Sequence, residues 1–298
     1  MCDDFGLITL VAVTLFAAGV TGALGYGFSS ITVPIALLFL TNKVLNPALV
    51  LVAIVLNSYV LLINRKSVPR VWKRVLPIVL GLIPGIIAGS YILSSLNSEW
   101  LKLSTYAVLL PLILFQAAGV RRPIHSERMV GVPFGASVGI LYSVTTISGP
   151  PLALLFNNQG LVKKEFRAAM AMIRVAESIL TATAYYFLGL YSVESSQVLF
   201  SVLPSVVIGV PLGAFLSRRT HAETFRRFCM SYDAWIVGYG FSRVLITLNL
   251  LVSRAAYSVW LAVVLIDAYL LYLYFIKNRK MEVKALPQAL KSVLLRRR

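Results

Sequence analysis

Two stretches of this chain place glycine, proline and hydroxyl residues where the apolar flanks call for unbroken helix. Gly22 to Ser30 contains Gly25, Gly27, Ser29 and Ser30, and Ser143 to Pro151 contains Thr145, Thr146, Ser148 and Gly149. A short helix beginning after such a break, behind Pro34 or Pro151, offers N–H groups without intrahelical partners and the positive end of its dipole, and both attract anions. The hydroxyls add donors, so the paired breaks suit a small anion with several oxygens. Glycine, serine and threonine also permit close packing of helices. For any one of these residues that alternative stands beside binding; the two breaks together favour binding.

Charges inside apolar segments need a reason, because each costs at least about 2.5–3.5 kcal/mol near a bilayer centre. Arg174 and Glu177 are three residues apart and share a helix face. The sequence admits two roles for them: Arg174 supplies positive charge to an anion while Glu177 orients it or carries a coupled proton, or the two form a structural ion pair near the end of the span. Sliding the chain by 117 residues sets Asn57 opposite Arg174. Arg243 and Asp267 lie in later apolar segments and are expected to pair with each other, as a structural bridge or as part of a proton relay. Asn157, just past the second break, suits an inner vestibule or a helix cap.

Other chemistry has little to stand on. Cys2 and Cys229 form no ligand cluster, and His125 and His221 fall in polar loops, so no metal site is expected. No Walker loop, HExxH or GxSxG motif is present, and no cofactor is expected. Neither break contains Asp, Glu, His or Arg, which weighs against a membrane-embedded hydrolase.

The elements that must hold these residues are membrane helices. The 298 residues are 58% hydrophobic and 13% charged, with a mean hydropathy of +0.83; soluble domains average about 45–50% apolar and about 25% charged. The net charge of +17 lies in short loops and the C-terminal tail, which points to membrane topology rather than nucleic acid. Apolar stretches run over 5–41, 47–63, 75–96, 101–119, 129–157, 168–190, 197–217, 228–251 and 255–276. Basic clusters follow at Arg65–Arg74, Arg121–Arg128, Lys163–Arg167 and Arg218–Arg227, and in the tail from Lys277. Placing all of these in the cytoplasm puts the N-terminus outside and requires 5–41 and 129–157 each to turn back on itself. The basic tail then lies against anionic lipid, and the acidic start at Asp3-Asp4 argues for retention of the first segment.

The halves resemble each other. At the 117-residue slide, Gly22 meets Gly139, Pro34 meets Pro151, and Leu37-Leu38-Phe39 meets Leu154-Leu155-Phe156; later, Pro77 and Pro84 share their spacing with Pro204 and Pro211. The expected fold is all-α: a polytopic integral membrane protein with an inverted-topology repeat, two re-entrant or broken hairpins, and an extra C-terminal span. Its units are 5–119, the inverted repeat 129–251, the additional helix 255–276 and the basic tail 277–298. Backbone broken at membrane depth must face protein or a wet cavity, so both breaks are expected to face the interior and, in an inverted repeat, to meet near the midplane.

"GALGYGFSSITVPIALLF" (Gly22 to Phe39) and "GILYSVTTISGPPLALLFNNQGLVKKEFRA" (Gly139 to Ala168) resemble the glycine-rich and Gly-Pro segments of the sulfite exporter TauE/SafE family, also called TSUP. The resemblance covers about residues 5–251 by pattern. It implies a multi-pass protein of the cell membrane that moves sulfite, organosulfonates or related small anions by alternating access. Its expected partners are the anion and the lipid bilayer, and a homo-oligomer is compatible with the sequence. The chain departs from the pattern in Ser29-Ser30, the long basic tail and the extra span. A passive anion channel is the alternative that the sequence leaves open.

Overall fold

The computed structural model describes residues 4–24, 27–117, 127–157, 161–216 and 222–285. Its helices are α1 (Asp4–Leu24), α2 (Phe28–Ala36), α3 (Asn42–Ile63), α4 (Val68–Ser95), α5 (Ser98–Ala117), α6 (Glu127–Thr145), α7 (Gly149–Asn157), α8 (Lys163–Phe187), α9 (Val193–Leu216), α10 (Ala222–Thr247) and α11 (Ser253–Ala285), with a 3-10 turn over Arg65–Ser67. Among the described residues there is no strand. Among the described residues, six helices (α1, α3, α4, α5, α9 and α11) are long and apolar enough to cross a bilayer. α8 and α10 are as long but carry Arg174, Glu177 and Asp233 in their interiors. The expected all-helical polytopic fold is the observed one.

Both overlong apolar stretches are broken into a long and a short helix, with a local cause in each. The first bend passes through Gly27, whose φ of 116° lies in the left-handed region that glycine enters without penalty. The second passes through Thr146 at φ 57°, a costly conformation for a β-branched residue. The Thr146 N–H donates to the carbonyl of Tyr142 at 2.6 Å, and Thr145 Oγ1 receives the N–H of Ile147 at 3.1 Å. The short helices do not start behind the prolines as expected. Pro34 lies inside α2, whose first residue is Phe28. α7 starts at Gly149 and carries Pro150 and Pro151 in its first turn, where a missing N–H costs nothing.

Helix ends around the breaks coincide at a spacing of 121 residues: Leu24 with Thr145, Phe28 with Gly149, Ala36 with Asn157, and Asn42 with Lys163. The 117-residue register expected from the Gly/Pro matches is therefore not the structural one. It aligned prolines, but Pro34 and Pro151 occupy different turns of their helices.

Packing follows the same exchange of halves. α1 lies against α9 as α6 lies against α4; α2 meets α10 as α7 meets α5; α3 meets α9 as α8 meets α4; and α3 with α8, and α2 with α7, pair across the middle. Small residues bring the first pairs close. A Cβ on Gly139 would sit 2.8 Å from the Leu82 carbonyl, and one on Gly209 2.7 Å from the Leu15 carbonyl. Such seams let backbones approach where lipid offers helices no hydrophobic drive to associate. α11 packs on the outside, mainly on α10.

Candidate functional site

α3 and α8 run antiparallel through the centre. Glu165, in the first turn of α8, pairs at 3.5 Å with Arg70 in the first turn of α4, which follows the end of α3 through the 3-10 turn, while Tyr185, near the end of α8, neighbours Asn46 near the start of α3. On α8, Arg167, Arg174, Ser178, Thr181 and Tyr185 recur at intervals of a whole number of turns, so they line one face, with Glu177 beside them. All but Arg167 are buried. Asn42, Asn46 and Asn57 are buried on α3. A polar seam thus runs along the central helix pair inside an otherwise apolar bundle.

At one end the seam opens into a cavity of about 740 Å³, lined by Thr21, Gly22, Tyr59, Asn64, Lys66, Lys164 and Arg167 among others. Its cations come from the 3-10 turn after α3 and the first turns of α8, and this is the basic end of the molecule. Arg167, half-buried in the wall, donates through Nη2 to the carbonyl of Ala23, one residue before α1 ends. The first break therefore lies beside the cavity. Phe28, Ser29 and Ser30 follow at the head of α2, buried, where backbone N–H groups have no partner within the helix.

The second break is held at the other end of the α3–α8 pair. Asn46 Nδ2 donates to the Val144 carbonyl at 2.6 Å. Asn42 Nδ2 lies 3.4 Å from the same oxygen and 3.2 Å from Thr105 Oγ1. Tyr185 donates its hydroxyl to the Ser143 carbonyl. The two breaks therefore do not meet near the midplane as expected but are staggered, because Arg167 and Asn46 hold them at opposite ends of the antiparallel pair: by helix rise, the carbonyls of Ala23 and Val144 sit at levels of α3 about 20 Å apart. Between those levels the short helices α2 and α7 touch each other.

Arg174 lies about 10 Å deeper than Arg167 along α8. Its Nε is 3.9 Å from Glu177 Oε1, and the same oxygen accepts the hydroxyl of Ser148, the residue before α7. Arg174 and Glu177 are 1% and 0% exposed, so they are embedded in the bundle rather than snorkelling to its end. Among the described residues, Arg174 Nε and Nη1, Glu177 Oε2, Thr181 Oγ1 and Asn57 Nδ2 have no hydrogen-bond partner. At the 121-residue spacing the counterparts of Arg174 and Glu177 are Ala53 and Leu56; the charged pair belongs to one half only. That spacing pairs Asn57 with Ser178, not with Arg174.

The structure thus gathers Ser148, Arg174 and Glu177 into one cluster, with Thr145 and Thr146 in the bend above it. Ser29, Ser30 and Gly27 form a second group at the head of α2. Asn157 ends α7 with its side chain outside the described residues, as Gly25 is entirely. The expected pairing of Arg243 with Asp267 is overturned. Arg243 is exposed, in the wall of a separate cavity of about 240 Å³ with Glu99, Lys102 and Tyr106. Asp267 is buried beside Ser231, Arg227 and Trp235. α10 and α11 form an antiparallel hairpin, so residues equally far from its turn meet: Trp260 bonds the Trp235 carbonyl at 3.1 Å, which sets Asp267 two turns further from the turn than Arg243 can reach. Sequence reading also missed Asn42, Asn46, Arg167 and Tyr185. The regular spacing of polar residues along α8 was the available signal.

Broken spans, a buried polar seam and a cation-lined cavity within long apolar helices define a polytopic membrane protein built around an internal polar path. The family model described as Sulfite exporter TauE/SafE matches residues 10–239, and the chain belongs to that family. It is accordingly a multi-pass membrane transporter of sulfur anions, of a family of transporters rather than enzymes. The match covers both breaks and stops before α11. No curated protein and no solved structure shows a significant match to the chain.

Proposed function

We propose that the chain is a secondary transporter of sulfite, an organosulfonate or a related small oxyanion, working by alternating access along the α3–α8 seam. The observation that carries this reading is Arg174: a fully buried guanidinium, ion-paired with Glu177, whose Nε and Nη1 have no hydrogen-bond partner among the described residues, two turns in from a cavity lined by Lys66, Lys164 and Arg167. An oxyanion of sulfur accepts from several donors at once, and a guanidinium can donate to two of its oxygens in parallel. Lys66, Lys164 and Arg167 draw the anion in, and Arg174 receives it. Ser29, Ser30 and the first N–H groups of α2 supply further donors, whereas the hydroxyls of Thr145 and Thr146 are committed to the carbonyls of Leu141 and Thr145. α7 contributes less, because Pro150 and Pro151 carry no N–H where Ser29 and Ser30 do. The related packing of the two halves supports an inverted repeat as the moving architecture.

In this reading the basic end, and the tail with it, faces the cytoplasm of a plasma-membrane protein whose N-terminus lies outside. The cavity is then the inward-facing mouth, and the buried second break closes the outer side. The test is counterflow in proteoliposomes with sulfite, thiosulfate and isethionate. Uptake that saturates and is stimulated by the same anion on the far side supports the proposal; linear flux without exchange is the behaviour of a passive channel and defeats it.

A further inference from the structure

We infer that Glu177 is a proton-binding site coupled to the anion, which makes the protein a proton–anion symporter; this rests on the transport reading above. The motive observation is a joint. Glu177 Oε1 faces two groups, the hydroxyl of Ser148 and Arg174 Nε at 3.9 Å, and Ser148 is the last residue of the second break before α7 begins. Glu177 Oε2 is buried and has no partner among the described residues. One carboxylate therefore touches both the cation that would receive the anion and the hinge of a short helix. A repeat-wide structural requirement does not account for it, since the other half has Ala53 and Leu56 at the matching positions.

The surroundings leave Glu177 as the group that titrates. Arg174 faces it from its own helix. Tyr142 comes from α6 and shares a hydrogen bond of 2.8 Å with Ser178. α7 has no ionisable residue, and those of α3 and α4 (Lys43, Tyr59, Arg70, Lys73, Arg74 and Tyr91) lie at helix ends or on exposed faces.

The charges balance in one step. With Glu177 ionised, the pair is neutral and Arg174 is held by its own carboxylate. A proton binding Oε2 removes the negative charge, and Arg174 is left with one uncompensated positive charge in a low-dielectric site. One monovalent anion then restores neutrality. Proton and anion each favour the other's binding, as linkage requires. Release of the proton returns Arg174 to Glu177 and expels the anion.

Two measurements on the full chain in lipid test this. In infrared difference spectra, a protonated-carboxyl C=O band should grow on acidification, vanish in Glu177→Gln and persist in Asp267→Asn and Asp233→Asn. A band that survives Glu177→Gln overturns the proposal, as does the absence of any titrating band in the wild type. If Glu177→Gln does not reach the membrane, Glu177→Asp must displace the band, and an unmoved band overturns the proposal. In proteoliposomes under clamped voltage, isethionate, which stays ionised throughout, should accumulate down a proton gradient and acidify a trapped pyranine dye. In Glu177→Gln, gradient-driven accumulation measured against that variant's own isethionate exchange should fall at least tenfold; a wild-type ratio of accumulation to exchange defeats the coupling. The infrared measurement needs no substrate, so its failure leaves the transport reading standing. Wild-type protein that exchanges no anion at all defeats both readings.

Discussion

Asn46 and Arg167, 121 residues apart, do the same work at the two broken spans. Asn46, in the second turn of α3, caps the carbonyl of Val144 in the last turn of α6. Arg167, in the second turn of α8, caps the carbonyl of Ala23 in the last turn of α1. The carbonyls at the end of a helix have no partner within it, and one left bare in a membrane interior costs several kcal/mol. Each half of the molecule meets that demand with a side chain from the next long helix of the other half. One half uses a neutral amide and the other a cation, so an equivalent architectural position has been given different electrostatics. The cation is the one that lines the open cavity.

Replacing Asn46 by Ala should therefore destabilise the protein without changing which anion it prefers. The Val144 carbonyl would keep only the 3.4 Å contact from Asn42. A buried acceptor left without its partner costs about 1–3 kcal/mol, which thermal unfolding in detergent will show as a lowered Tm. An unchanged Tm would mean that Asn42 or water takes over the cap.

Arg167→Gln separates the two duties of that residue. Glutamine can still donate to Ala23, so stability should hold to within about 1 kcal/mol. The charge at the cavity wall is lost, so apparent affinity for the anion should fall several-fold, with a weaker dependence on ionic strength. An affinity and salt dependence like those of the wild type would remove Arg167 from the path.

What could be read from the sequence was whatever leaves a local trace. Glycine and proline inside apolar runs announced the breaks, and the length of 5–41 and 129–157 required turns. The lysines and arginines between the runs marked one end of the bundle. What could not be read depends on which faces meet. Prolines suggest a 117-residue register, but proline tolerates different positions in a short helix, and the helix ends fix the spacing at 121. Arg243 and Asp267 looked like partners because both are charged in neighbouring spans; the hairpin geometry of α10 and α11 sets them at different depths. Asn46 and Arg167 gave no signal as caps, since their partners are backbone atoms far off in the chain. Arg167 read as one more loop cation.

Ser29→Ala with Ser30→Ala probes the head of α2. The matching positions in α7 are Pro150 and Pro151, so helix geometry at such a break does not require the hydroxyls. Each lost donor to a charged ligand is worth about 1.5 kcal/mol, which is about tenfold in affinity. The pair of substitutions should raise KM for the transported anion at least tenfold and leave the Tm nearly unchanged. If KM stays put while Tm falls, the serines serve packing and not binding.

Asp267 and Arg243 should behave oppositely on truncation. Asp267→Ala removes a buried carboxylate from beside Arg227 and Ser231, and taking one member from a buried polar cluster costs about 1–3 kcal/mol. Arg243 is exposed in its cavity wall, and its replacement by Ala should cost less than about 1 kcal/mol. Comparing the two unfolding curves tests whether α11 is fixed to α10 through Asp267.

The role of Arg174 calls for a double substitution with Glu177, because replacing Arg174 alone confounds charge with folding. Removing one member leaves the other buried without its counter-charge, at a cost of about 3–5 kcal/mol, whereas removing both can be close to neutral. Arg174→Gln should therefore lower the Tm, and Arg174→Gln combined with Glu177→Gln should recover most of that loss. If Arg174 were only half of a structural pair, the recovered protein would also recover anion flux. With Arg174 as the group that receives the anion, the double variant folds and stays nearly inactive, its binding of thiosulfate weakened at least tenfold by the loss of a charge-assisted contact. Flux and affinity measured on that one stable variant decide between the two roles.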